Sequence, residues 1–248
     1  MPKLRRVALV TGGLGGIGRA ICRHLATGGI RVVAADLPCD AARRSAFAAD
    51  LQGLPVSTFD LDVGDADACA AAVAHVEAQY GRLDILVNAA GITRDSTLRK
   101  MRASQWDEVL RVNLDSAFHL CRAAVDGMVG RGFGRIVNIS SVSGQTGNFG
   151  QTNYAAAKAG LHGLTMSLAR EVAAKGITVN SLSPGYVETP MTAGMPPEVL
   201  ARTVASVPVG RVGQPDDIAR AVAFLVADEA GYITGINLPV NGGLLMGF

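Results

Sequence analysis

The chain is poor in the groups that mark most nucleic-acid and metal-binding proteins. Aromatics make up only 5% of its 248 residues, too few for a row of base-stacking platforms. Lys and Arg number 23 against 21 Asp and Glu, a net charge of +2 with no run of one sign. No basic stripe is therefore expected to follow a phosphate backbone, and no nucleic-acid partner. Cys22, Cys39, Cys69 and Cys121 contain no Cys-x-x-Cys spacing, and His24, His75, His119 and His162 are scattered. Neither set suggests a metal, and the cysteines read as reduced thiols of a cytoplasmic protein. Long apolar runs are missing too. The first apolar stretch, Val7 onward, stops at Thr11 after four residues, too short for a signal-peptide core or a membrane span.

What is present is alternation. Short β-branched runs at 7–10, 31–35, 56–59, 85–88, 135–139, 177–182 and 236–240 are separated by helical patterns at 19–27, 66–80, 104–129, 153–174 and 215–226. Strands that are apolar throughout, alternating with helices, predict a parallel sheet covered on both faces. The fold class is doubly wound α/β. At 49% hydrophobic the chain can bury a large core, and one domain over 1–248 is expected. The least regular stretch, 188–209, holds four prolines and two methionines and reads as an excursion from that domain.

Directly after the first strand comes Thr11-Gly-Gly-Leu-Gly-Gly-Ile-Gly18, opening a helix. Glycines there allow a tight turn and let backbone amides approach a pyrophosphate at a helix N-terminus. Two frames fit: Gly13, Gly15 and Gly18 as GxGxxG, or Gly12, Gly16 and Gly18 as GxxxGxG. Asp36 ends the next strand, where an acid can accept from the ribose 2′-hydroxyl of NAD and would repel the 2′-phosphate of NADP. NAD(H) is the preferred cofactor on that reading. Arg43 and Arg44 follow closely and leave NADP(H) open, because a bent loop could return one of them to a phosphate.

The second informative stretch is SSVSGQTGNFGQTNYAAAK, Ser140 to Lys158. Tyr154 and Lys158 are one helical turn apart, so the phenol and the ammonium share a face. A neighbouring ammonium favours the phenolate and is expected to pull the tyrosine towards neutrality, fitting it for proton transfer at physiological pH. Ser141 stands thirteen residues before the tyrosine.

Thr11 to Gly18, Asn88-Ala-Ala-Gly91, Asn113, Ser141, Tyr154, Lys158 and Pro184-Gly185 together resemble the short-chain dehydrogenase/reductase family over the whole chain. The resemblance implies a Rossmann sheet of seven parallel strands, a nicotinamide cofactor and a homotetramer. By it, Gly12, Gly16 and Gly18 wrap the pyrophosphate, with Leu14, Gly15 and Ile17 of the same loop also against the cofactor. Asp36 and Leu37 would meet the ribose, Asp62 and Val63 the adenine. Asn88, Ala89, Ala90 and Gly91 would brace sheet and cofactor, and Pro184, Gly185, Val187 and Thr189 would hold the nicotinamide amide. The family's usual Asn-Asn-Ala-Gly reads Asn-Ala-Ala-Gly here, which removes any side-chain bond at Ala89. Ser141 would donate to a carbonyl oxygen, Tyr154 would deliver the proton, and Lys158 would depress the phenol pKa and bind the nicotinamide ribose. Asn113 would hold a water relaying protons to Lys158.

By Gly91-Ile-Thr-Arg-Asp95 with Arg99-Lys-Met101, Gly147 to Tyr154, Ser183-Pro-Gly-Tyr186 and Asn241-Gly-Gly-Leu244, the chain within the family most resembles acetoacetyl-CoA reductases of polyhydroxyalkanoate (polyhydroxybutyrate) synthesis, with 3-oxoacyl-carrier-protein reductases close behind. The implied reaction reduces the 3-keto group of a short acyl-CoA to the (R)-3-hydroxyacyl product. Ser141, Asn148, Phe149, Gln151, Tyr154 and Tyr186 would contact that substrate, Phe149 and Tyr186 as a small apolar slot. Two arginines by which carrier-protein reductases dock their acidic partner correspond to Gly132 and Lys175 here, which favours CoA, although Arg131 sits beside the gap. Residues 188–209 would close over substrate as a lid. A non-catalytic dinucleotide sensor on the same fold is the alternative outside enzyme chemistry.

Overall fold

The computed structural model describes residues 6–189 and 197–246. Seven strands form one parallel sheet in the order β3-β2-β1-β4-β5-β6-β7. They are β1 (Val7–Thr11), β2 (Arg31–Asp36), β3 (Val56–Asp60), β4 (Ile85–Asn88), β5 (Gly134–Ile139), β6 (Ile177–Pro184) and β7 (Asn237–Val240). Every residue of β1, β4, β5 and β6 is buried. This is why β1 and most of β4 read as apolar runs rather than as alternating ones, while β5 and β6 carry buried polar residues such as Asn138, Asn180 and Ser181.

Helices cover both faces. On one, Ile21 and Leu25 of α1 (Gly16–Thr27) and Val222 and Leu225 of α9 (Pro215–Val226) pack on Ala8, Val10 and Val137. On the other, Val73 of α3 (Ala66–Tyr80) and Leu120 and Met128 of α5 (Ser116–Arg131) pack on Leu9, Leu86 and Ile136. Each such side chain, wholly removed from water, contributes about 1.5–3 kcal/mol. Cys22, Cys69 and Cys121 lie in these layers as free thiols, and burial pushes Cys69 up to about 11 and Cys121 up to about 12.

Three elements depart from the sequence expectation. A helix not read from the sequence, α2 (Ala41–Asp50), starts at Asp40, whose carboxylate accepts from the Arg43 N–H at 2.8 Å; that N-cap was its one legible signal. The helix expected over 104–129 is broken into α4 (Ala103–Leu110), a π-turn at Arg111–Asp115, and α5. Part of the excursion at 188–209 is regular, because Pro197–Ser206 forms α8. Residues 190–196 of that expected lid lie outside the described residues.

The strand order reverses between β1 and β4, and at such a switch the carboxyl ends of the strands open a crevice. Gly12 (φ +62°) lines it, and a Cβ built there would lie 2.9 Å from Ala90 Cα. A Cβ on Gly18 would run into the Gly12 carbonyl. The first and last glycines of the GxxxGxG frame are thus demanded by backbone packing. Gly18→Ala is expected to lose about 1–3 kcal/mol of stability through overpacking, read from urea unfolding; an unchanged midpoint would show that the loop can yield.

Candidate active site

Helix α7 (Thr152–Val172) carries the tyrosine and the lysine. Its first turn is anchored by Asn153, fully buried, whose Nδ2 donates to Arg94 O at 3.2 Å and Gln105 O at 3.1 Å while its Oδ1 accepts from the Tyr154 N–H at 2.8 Å. One turn further on, Lys158 is 3% exposed and its Nζ donates to the Ile139 carbonyl at 2.8 Å, 5.6 Å from the Tyr154 ring centroid. Ser141 follows β5. Its Oγ accepts from the Ser143 N–H at 3.1 Å, which leaves its own proton to donate.

Burial dominates the electrostatics of this group. It raises the Tyr154 phenol above its ordinary value, hydrogen bonding to Ser141 opposes the rise, and the Asp95 charge adds to it. Burial also lowers the Lys158 ammonium from 10.5 to about 8. The sequence expectation of a phenol depressed by its lysine is therefore not what these side chains produce alone. Desolvation outweighs an ammonium that is itself being pushed towards neutrality.

Asn113 sits in the π-turn, 2% exposed, with Nδ2 donating to Ile92 O and Val109 O, both at 2.9 Å. Its Oδ1 is buried without a partner. A Cβ on Gly91 would lie 2.7 Å from that oxygen and 3.4 Å from Lys158 Nζ. Gly91, Asn113 and Lys158 thus converge on one spot, and an orphaned buried acceptor there suits a small polar guest.

At the nucleotide end, Thr11 Oγ1 accepts from the N–H groups of Ala89 and Ala90, each at 3.2 Å. Ala89 serves through its backbone and needs no side-chain amide. Asn88 Nδ2 donates to Asn138 Oδ1 at 2.8 Å, and Asn138 Nδ2 to Thr165 Oγ1 at 2.9 Å, bracing β4, β5 and α7. Asp36 accepts from the Leu14 N–H at 3.0 Å and the Leu37 N–H at 2.9 Å, with Arg43 Nη2 3.5 Å from its Oδ2. Arg44 pairs with Asp60 instead. Asp62, exposed at the end of β3, accepts from the Gly64 N–H, and Val63 beside it is buried.

The Pro184 carbonyl accepts from the Val142 N–H at 2.9 Å, and Gly185 donates to Val240 O at 3.1 Å. Val187 is buried and bridges Gly213. Gly16 and Thr189 line a common cavity of about 390 Å³ with Arg19 and Gln214. The predicted cofactor residues are thus set around the carboxyl edge of the sheet. Backbone that tolerates no Cβ at Gly12, Gly18 or Gly91 leaves a cradle, and with Asp36 at its far end it fits a nicotinamide dinucleotide.

The predicted substrate residues are less gathered. Gln151 Nε2 donates to both Asp95 oxygens, at 3.2 and 3.1 Å, and its Oε1 accepts from Ser143 Oγ at 3.3 Å and from Asn148 Nδ2 at 3.0 Å. Phe149 is 89% exposed. Tyr186 lines a cavity of about 240 Å³ with Val209, Arg211 and Asn241, and Phe149 is not part of that lining. The expected slot between these two aromatics is not closed here. Asp95 and Asn153 are site residues that the sequence reading did not single out, and only their neighbours in space reveal them.

Because Lys158 is neutralised more readily in the folded chain than in the unfolded one, the folded state binds fewer protons between pH 8 and 10.5, and stability rises through that window. Lys158→Met is accordingly expected to be more stable than the unmodified chain below pH 8, with the difference shrinking as pH rises to 10.5. Urea midpoints across pH test this; a constant difference would mean the ammonium is not buried at a cost.

Among the described residues no helix is long and apolar enough to cross a membrane, and no group of three His, Cys, Asp or Glu is placed to hold a metal. The family model described as enoyl-(acyl carrier protein) reductase matches residues 12–245. Acetoacetyl-CoA reductase of Allochromatium vinosum is 54% identical over 98% of this chain and 100% of its own length. Acetoacetyl-CoA reductase of Cupriavidus necator is 49% identical over 98% and 99%. The 3-oxoacyl-[acyl-carrier-protein] reductase of Haemophilus influenzae is 47% identical over 97% and 98%. With the tyrosine and lysine one turn apart beside a glycine cradle, and with matches that span it nearly end to end, this chain belongs to the short-chain dehydrogenase/reductase family of oxidoreductases.

Proposed function

We propose that the protein reduces the 3-keto group of acetoacetyl-CoA or a similar short 3-oxoacyl-CoA to the (R)-3-hydroxyacyl thioester, as a cytoplasmic homotetramer in polyhydroxybutyrate synthesis. The observation that carries the chemistry is the convergence of Ser141, Tyr154 and Lys158 at the carboxyl edge of β5, beside Gly91 and Asn113. Reduced nicotinamide, when bound, supplies the hydride. Ser141, which hydrogen-bonds Tyr154 here, donates to the substrate carbonyl oxygen when substrate binds and stabilises the charge that grows there. Tyr154 hands its proton to the resulting alkoxide; a phenol held above its ordinary value by burial is fully protonated at neutral pH and ready to give. Lys158 holds the ribose and returns a proton to the phenol, and Asn113 Oδ1 positions the water that resupplies it.

The thioester carrier is CoA rather than a carrier protein. Gly132 and Lys175 stand where an acidic carrier would need arginines, and Arg131 does not fill the gap. Its Nη1 donates to Glu77 at 2.9 Å and its Nη2 to the Leu83 carbonyl at 2.6 Å. A carrier-protein substrate, as in the Haemophilus relative, is the second reading.

NADH is the preferred reductant. The Asp36 carboxylate stands at the ribose end of the cradle, and a 2′-phosphate beside it would meet a like charge that only Arg43 offsets. Asp36→Ala should weaken both cofactors, because the Leu14 N–H loses its acceptor. It should also raise the NADPH-to-NADH ratio of kcat/KM by about tenfold or more; an unmoved ratio would remove Asp36 from cofactor choice. Tyr154→Phe should lower kcat by about 10²- to 10⁴-fold while cofactor affinity holds. Initial rates with NADH and NADPH, each against acetoacetyl-CoA and a 3-oxoacyl-carrier protein, decide the substrate. Rates confined to the carrier protein would overturn the CoA assignment, and no rate with either would overturn the 3-oxoacyl one.

A further inference from the structure

A half-buried histidine lies outside the chemistry above. His162 lies one turn beyond Lys158 on α7, and its Nε2 is 2.8 Å from Ser140 Oγ and 3.4 Å from Ser183 Oγ. Ser140 immediately precedes Ser141, and Ser183 precedes Pro184 and Gly185. The hydrogen inventory fixes the direction of the closer bond. Ser140 has one hydroxyl proton, and it goes to the Lys158 backbone carbonyl at 2.8 Å, an atom that can only accept. The 2.8 Å contact with His162 therefore needs its hydrogen from the imidazole. Ser183 is in the same position, its proton going to Asn237 Oδ1 at 2.8 Å. Nε2–H thus serves two hydroxyl oxygens, one at the end of β5 and one at the end of β6.

The consequence reaches the reacting groups. Lys158 is held to β5 twice, through its ammonium on the Ile139 carbonyl and through its own carbonyl on Ser140 Oγ. The second of these bonds is oriented by the imidazole. We infer that His162, as an Nε2–H donor, is a positioning residue that sets, through Ser140, the register between Ser141, just beyond β5, and the Tyr154 and Lys158 pair on α7. Burial lowers the His162 pKa, consistent with a neutral ring carrying one proton.

This inference rests on the reductase reading for its kinetic arm and is independent of it for its spectroscopic arm. Long-range ¹H–¹⁵N spectra of the full chain labelled at histidine should show His162, assigned by its loss in His162→Gln, as the neutral Nε2–H tautomer. The Nδ1–H tautomer would overturn the proposal whatever the enzyme turns over. In kinetics with acetoacetyl-CoA, His162→Phe, which has no donor, should lower kcat about tenfold, the scale of one unsatisfied buried hydrogen bond, with KM for the cofactor within about twofold. His162→Gln, which keeps an Nε2–H, should recover most of kcat. In a Ser140→Ala background His162→Phe should add little, because its action passes through that hydroxyl. Equal losses in the Phe and Gln variants, or losses that multiply with Ser140→Ala, would overturn the positioning role. If His162→Phe does not fold, the Gln variant and the tautomer measurement still decide.

Discussion

The structure turns on one buried ammonium. Lys158 is taken out of water on the inner face of α7, and the only strong acceptor it finds is the carbonyl that ends β5. A buried charge without a partner is costly, so the helix can sit in one register against the sheet and no other. That register carries Tyr154 to the mouth of the site and Ser140 under the lysine's own carbonyl. The chemistry of the site and the packing of α7 are therefore one constraint seen from two sides.

The rest of the molecule supplies a rigid floor for that contact. Strands β4, β5 and β6 are buried along their whole length, and Asn88, Asn138 and Thr165 tie the ends of β4 and β5 to α7. Polar groups inside a low-dielectric core are mostly paired, and here the pairing joins the strands that lead to Gly91 and Ser141 to the helix that carries Tyr154 and Lys158. The Oδ1 atoms of Asn88 and Asn113 are both left without a partner, and that of Asn113 lies beside Gly91 and Lys158. A π-turn is what puts it there, since an uninterrupted helix would have left its amide elsewhere on the helix surface.

Towards the adenosine end the control is electrostatic. Asp36 joins the glycine loop to the end of β2 through the Leu14 N–H, and it draws Arg43 to itself. One carboxylate thus shapes the loop and pairs with the nearest arginine. Elsewhere on the surface, Arg131 is engaged by Glu77 and the Leu83 carbonyl.

Alternating apolar runs, the glycine loop, the acid at Asp36 and the one-turn spacing of Tyr154 and Lys158 were legible in the sequence. Each is a local pattern, governed by periodicity or by backbone sterics within a few residues. They determined the doubly wound α/β class, the dinucleotide end and the candidate proton donor. Other features depended on distant residues meeting. The break at Arg111–Asp115 follows from Asn113 bonding Ile92 across the fold. The acidity of the phenol depends on desolvation, on its bond with Ser141 and on Asp95. Helix α2 is polar, with Phe47 its one buried side chain, so it left no apolar stripe to read. Local pattern determined which elements form and which groups they carry; the tertiary structure alone decided burial, and with it the charge states and hydrogen-bond partners on which the chemistry rests.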